Sequence, residues 1–287
     1  MTRSIVAALL LTLITFSTAL IPAGRAAEPD PLEPSNLVAW CIVPFDASKR
    51  SPEARAKMLK ELGVTRCAYD WRAEHVPTFE AELQAYKKEG IDMFAFWGTH
   101  DEAFRLFEKY GVRPQIWQMI PQPKAESQEA KVEEAANWLK PLAERTAKEG
   151  LSLGIYNHGG WTGEPANMVA VCQKLREMGY PQVGIVYNFH HGHEHIADWP
   201  EAFRQMQPYL LCLNLNGMNA QAQPKILGIG KGKHEKQMIQ TVLDAGYQAP
   251  IGILDHRNEL DAKESLQENL DGLQQLRADL ATESAKK

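Results

Sequence analysis

A closed (β/α)8 barrel, an α/β fold in which eight parallel strands alternate with eight helices, is predicted by three features of the sequence. Helix-like stretches end in a glycine that is followed at once by an apolar, strand-like run, and this unit recurs along most of the chain. Two further strand-like runs complete a count of eight, and the alternation argues for a parallel sheet with helical crossovers. No GxGxxG motif follows an early strand, which weakens an open doubly wound sheet as the alternative.

The elements follow in order. Residues 37–43 form the first strand. Lys60-Glu61-Leu62-Gly63 then precedes a strand at 66–69, Lys88-Glu89-Gly90 one at 93–97, and Lys109-Tyr110-Gly111 one at 115–119. Lys148-Glu149-Gly150 precedes 153–156, Glu177-Met178-Gly179 precedes 183–187, and Asp244-Ala245-Gly246 precedes 251–254. Glycine just past a helix adopts the left-handed conformation that ends it at little cost, so each such tripeptide marks a helix-to-strand corner. The remaining strand, 209–213, follows Gln207-Pro208, where proline does the stopping. Amphipathic helices lie between them, among them 52–62, 78–89 and 126–148.

The ends of the chain read differently. A small basic start at Arg3, an apolar run from Ile5 to Leu20 and small residues around Ala26 have the form of a secretory signal peptide, residues 1–26. Residues 27–36 read as a proline-rich acidic linker, 37–280 as the barrel and 281–287 as a frayed tail. Export to the periplasm or the medium follows. Nothing after the signal is apolar enough to span a bilayer, so no stable membrane association is expected after cleavage.

The formal charge is −5, and the signal would take two arginines and no acidic residue with it. An acidic protein repels a phosphate backbone, which goes against nucleic acid as a partner. Cys41, Cys67, Cys172 and Cys212 lack zinc-ligand spacing and read as buried thiols, although an oxidising compartment permits a disulfide.

In such barrels the active site is assembled where the strands end. The strand ends supply Phe45-Asp46, Asp70-Trp71-Arg72, Trp97 with His100, Trp117-Gln118, Tyr156-Asn157-His158, Asn188-Phe189-His190-His191, Asn214-Leu215-Asn216 and Asp255-His256-Arg257. Aromatic rings beside amides, carboxylates and imidazoles suit a polyhydroxylated small molecule, since a ring face packs on sugar C–H groups while polar groups bond the hydroxyls. A carbohydrate is therefore the expected ligand. His158, His191, Asp255 and His256 are the candidate catalytic residues, and Arg72, Trp97, Asn157, Asn188, Asn214 and Asn216 the candidate binders. His193 and His195, further from the strand, fit a solvated loop, and His75 and His234 a surface position.

The later strands resemble the xylose isomerase-like barrels, a superfamily of sugar isomerases and epimerases with endonuclease IV relatives. The resemblance rests on Tyr156-Asn157-His158, Asn188-Phe189-His190-His191, Asn214-Leu215-Asn216, Gly228-Ile229-Gly230 and Asp255 in that order. It implies a metal site of two Glu, one Asp and one His, for which this chain offers Tyr156, Asn188, Asn214 and Asp255. Hard cations favour several anionic oxygens, so that site is not kept. A rearranged set of His158, His191, Asp255 and His256 would favour zinc or nickel. The metal ligands stay unknown, one divalent metal ion being the only cofactor candidate. The resemblance implies an exported isomerase, epimerase or keto-glycoside lyase that removes a proton next to a carbonyl. A non-catalytic carbohydrate-binding barrel is the alternative.

Overall fold

The computed structural model describes residues 30–284, so the expected signal peptide, 1–26, lies outside the described residues. The strands are β1 (Leu37–Trp40), β2 (Arg66–Tyr69), β3 (Asp92–Trp97), β4 (Gln115–Gln118), β5 (Leu153–Tyr156), β6 (Val183–Asn188), β7 (Leu210–Leu215) and β8 (Ile251–Leu254). They pair in parallel in sequence order, and β8 returns to β1 to close the barrel. The helices are α1 (Pro52–Glu61), α2 (Phe79–Glu89), α3 (Asp101–Tyr110), α4 (Gln128–Glu149), α5 (Pro165–Glu177), α6 (Trp199–Met206), α7 (Glu235–Asp244) and α8 (Ala262–Ser284).

Side chains alternate across each strand, and this splits the core in two. Outward residues such as Leu153, Ile155, Ile251 and Ile253 meet Leu59, Leu139, Leu175 and Leu266 of the surrounding helices. Inward residues, among them Val38, Trp40, Ala68, Trp117, Tyr156, Val186 and Leu254, fill the lumen. Each fully buried large apolar side chain contributes roughly 1.5–3 kcal/mol. The barrel is thus a packed body, with room for a ligand only at its mouth.

The six corner glycines all have positive φ, from 65° at Gly111 to 96° at Gly179. At Gly63 a Cβ would meet nothing within 4 Å, so backbone conformation is the only thing an alanine would disturb. Gly63→Ala is expected to lower unfolding free energy by about 1–2 kcal/mol in urea titrations with unchanged activity. A second prediction concerns α1 and α2, which share a buried ion pair in which Arg55 Nη1 lies 2.6 Å from Glu82 Oε2. Glu82→Ala would leave the guanidinium buried without its partner, and urea titration should show a loss of about 3–5 kcal/mol.

Most strand limits fall within two residues of expectation, and three places differ by more. β1 stops at Trp40 because Cys41 takes φ 62° and leaves the ladder, while Ile42 and Val43 stay buried in the outer core without pairing. The described part of the expected linker, 30–36, is packed: Leu32 is buried, Asp30 and Glu33 both bind Arg277 of α8, and Asn36 donates to the Ala249 carbonyl at 3.2 Å. The expected tail is helical as far as Ser284, since Leu280 still reaches the core. All four cysteines are buried free thiols. Among the described residues no helix is long and apolar enough to cross a membrane.

Candidate active site

The carboxyl ends of six strands, and the turns just beyond them, converge on one cleft of about 100 Å³. Trp40 and Cys41 come from β1, Asp70 and Arg72 from the end of β2, and Trp97 from β3. Tyr156 and His158 come from β5, His190 and His191 from the turn after β6, and His256 from β8, with Phe45 closing one side. Above the cleft the mouth widens into a chamber of about 560 Å³ that shares His158, His190 and His191 with it.

The floor is aromatic. Trp40 packs edge-on to Trp117 at 4.9 Å between centroids, Trp97 meets Tyr156 at 4.4 Å, and Trp40 Nε1 donates to the Tyr156 hydroxyl at 3.4 Å. The imidazoles form a string over it. His190 and His191 are 3.7 Å apart between centroids, His158 and His191 4.5 Å, and His190 and His256 6.0 Å. A short 3-10 turn, Phe189–His191, breaks the strand alternation and lets two consecutive histidines face the same space.

Burial, the largest influence on each, holds these imidazoles below the ordinary histidine range, and mutual repulsion with nearby Lys225 adds to it. His191 is pushed down to about 3, while His190, His158 and His256 are lowered as well. All four are therefore neutral at pH 7. Asp70 moves the other way: burial raises its carboxyl to about 7 against the pull of Arg72 and of the backbone N–H groups of Val43 and Asp70. Both its oxygens are buried without a partner of good hydrogen-bond geometry. Such an orphaned group in a cleft is a functional-site signature.

Arg72 sits beside it, donating to the Trp71 carbonyl at 2.8 Å, with its guanidinium carbon 5.4 Å from the Phe45 ring centroid. His75, expected at the surface, instead accepts the Arg72 backbone N–H at 2.8 Å and fixes this corner.

Of the expected catalytic residues, His158, His191 and His256 meet in the cleft, and Asp255 does not. Because His256 faces the lumen, its strand neighbour Asp255 must face outward, where it accepts from Ser265 of α8 and lies 3.6 Å from Arg257 Nε. Arg72 and Trp97 line the cleft as expected, whereas the four asparagines are fully buried and lie off it. Asn157 Oδ1 accepts the Asn188 backbone N–H at 2.7 Å and Asn157 Nδ2 donates back at 3.1 Å, which ties β5 to β6. Asn214 packs over Gly252, where any Cβ would overlap its Oδ1, and Asn216 Nδ2 donates to the Gly217 carbonyl at 2.7 Å. These amides frame the mouth instead of lining it. Asp70, passed over in favour of Asp255, is the carboxyl group the sequence reading missed.

The same geometry tests the metal site implied by the resemblance. Tyr156 is held by Trp40, Asn188 by Asn157, Asn214 by its packing on Gly252, and Asp255 by Ser265. They do not form a ligand set. Among the described residues, no group of three or more His, Cys, Asp and Glu side chains is placed to hold a metal ion, so the rearranged set with Asp255 is not formed either.

No protein-family model matches the chain, and no curated protein sequence does. Solved structures do. The chain is similar to the 3-keto-D-glucoside 4-epimerase YcjR of E. coli, at 14% identity over 85% of this chain and 99% of that one, with a TM-score of 0.63. It is similar to the probable 3-DHS dehydratase AsbF of Bacillus anthracis, at 16% identity over 84% and 98%, with a TM-score of 0.64. A xylose isomerase domain containing protein of Salmonella typhimurium matches at 15% identity over 84% and 98%, with a TM-score of 0.62. The likeness shows the fold: these proteins share the closed (β/α)8 barrel described above.

Proposed function

We propose that this chain is a carbohydrate-active enzyme that removes a proton next to a carbonyl, acting outside the cytoplasm as an isomerase, an epimerase or a keto-glycoside lyase. One observation carries this reading: neutral imidazoles, a carboxyl group near pKa 7 and a guanidinium share one small cleft over tryptophans. The fold shared with an epimerase and a probable dehydratase supports it.

The roles follow from the environments. A general base works best when its pKa lies near the working pH. His158, the most exposed of the four imidazoles, suits that role better than His191, whose basicity burial has suppressed to about 3. His191 instead keeps an N–H to donate to the oxygen on which negative charge develops, and Arg72 supplies a fixed positive charge beside it. Asp70 retains a proton on a large share of molecules at pH 7 and hands it to the second carbon, or to a departing glycosidic oxygen. The proton taken by His158 returns to solvent, and solvent restores the one given up by Asp70.

The pH dependence has a definite sign. Activity should fall above about pH 7 as Asp70 loses its proton, and fall again below pH 6.5 as His158 gains one. A bell is expected in kcat against pH, its acid limb lying below the ordinary histidine range because burial lowers His158.

Incubation with keto-sugars and aldoses in D2O tests the reading directly. Proton NMR should show loss of the C–H signal next to the carbonyl, with or without net conversion. Sugar binding without any exchange would favour the second reading, a binding protein on a barrel that has lost its chemistry. The presence of Tyr156, Asn188 and Asn214 where the resemblance implies two carboxylates and an imidazole is the observation that speaks for it. Export is tested by N-terminal sequencing of protein recovered outside the cytoplasm, which should begin at Ala27.

A further inference from the structure

We infer that the substrate is a glycoside whose second unit is itself a sugar, seated in the chamber above the cleft. This rests on the carbohydrate reading and specifies its substrate class. The deep cleft, at about 100 Å³, has room for little more than one ring, whereas the chamber continuous with it measures about 560 Å³. Beyond Gln221, Glu194 and His193 the space continues into a groove of about 510 Å³ beside α6 and α7. A free monosaccharide would leave most of this surface wet.

The walls show what kind of second unit they suit. Glu164, Glu194, Lys225, Gln221 and the imidazoles of His193 and His195 offer donors and acceptors of both signs. That mixture matches the hydroxyls of an uncharged sugar better than a phosphate, which needs an excess of cations, or a hydrocarbon, which needs none. Two imidazoles of the wall carry a ring nitrogen without a partner within the protein. His190, almost wholly buried and common to cleft and chamber, has an unpaired Nδ1, and His193 at the far boundary has an unpaired buried Nε2. The wall is also pre-formed: His195 is braced between Glu164 at 3.1 Å and Asp198 at 3.2 Å. Little ordering cost remains to be met on binding.

Gln221 lies at φ 61°, a conformation glycine adopts without strain, so Gln221→Gly removes its side chain while keeping the loop. Glu194→Ala trims the same boundary. Calorimetric titration would compare D-glucose with cellobiose, D-galactose with lactose, and D-xylose with xylobiose. At least one disaccharide should bind ten-fold or more tightly than its monosaccharide, and each variant should cut that gain below about three-fold without changing monosaccharide affinity. Equal affinities within every pair, or a gain untouched by both variants, would overturn the inference and leave the carbohydrate reading standing. No binding by any of the six would overturn both.

Discussion

Asp70→Asn is expected to lower kcat by about 10²-fold or more while making the protein more stable at neutral and alkaline pH. The first effect follows if Asp70 supplies a proton in the rate-determining step, since positioned acids and bases contribute about 10²–10⁴-fold. Asparagine keeps the shape and cannot deliver the proton. The second follows from linkage. Asp70 has its carboxyl raised from 3.8 to about 7, so between those values the unfolded chain ionises while the folded one holds its proton. Stability is therefore lost as pH rises from about 4 to about 7 and stays low above it. The difference corresponds to roughly 2–4 kcal/mol, and the variant should regain much of it at pH 8 and almost none at pH 4. Urea titrations at the two pH values, read beside kcat, check both halves. A variant that loses activity with no pH-dependent gain in stability would return Asp70 to an ordinary packing role.

His158→Gln should lower kcat by about 10²–10⁴-fold with KM nearly unchanged, because the base acts on the reacting C–H bond and contributes little to holding the sugar. The diagnostic readout is the pH profile. Removing the group whose protonation shuts the enzyme down should flatten the limb below pH 6.5 and leave the alkaline limb, set by Asp70, in place. His191→Gln should behave otherwise: a loss of about 10²–10³-fold, as for other lost oxyanion donors, with both limbs retained. Deuterium exchange at the substrate carbon should vanish in His158→Gln and merely slow in His191→Gln. If both variants move the acid limb equally, the division of labour between the two imidazoles is wrong.

The fold was written in local signals that survive any context. Gly63, Gly90 and Gly246 end helices for a backbone reason, so the strands after them could be placed almost to the residue. Burial without pairing was not legible, and the apolar Ile42-Val43 looked like strand although Cys41 had already turned the chain away. The site was half legible for a related reason. Position at a strand end names a pair of neighbours, but only one of two consecutive strand residues faces the lumen, and the sequence does not say which. Choosing both Asp255 and His256 ignored that parity, as did choosing Asn157 beside His158. The 3-10 turn at Phe189–His191 suspends the rule and brings His191 in beside His190, a change of backbone no side-chain pattern announces. Asp70 stood among the strand-end residues without distinction, because burial of both its oxygens with no side-chain partner is a property of packing that the sequence does not display.

The clasp of Arg277 on Asp30 and Glu33 brings the two ends of the described chain together beneath the barrel, on the side away from the cleft. A fusion partner, affinity tag or surface anchor joined at either end would therefore hang from the underside. The opening would face outward, unobstructed by whatever is attached.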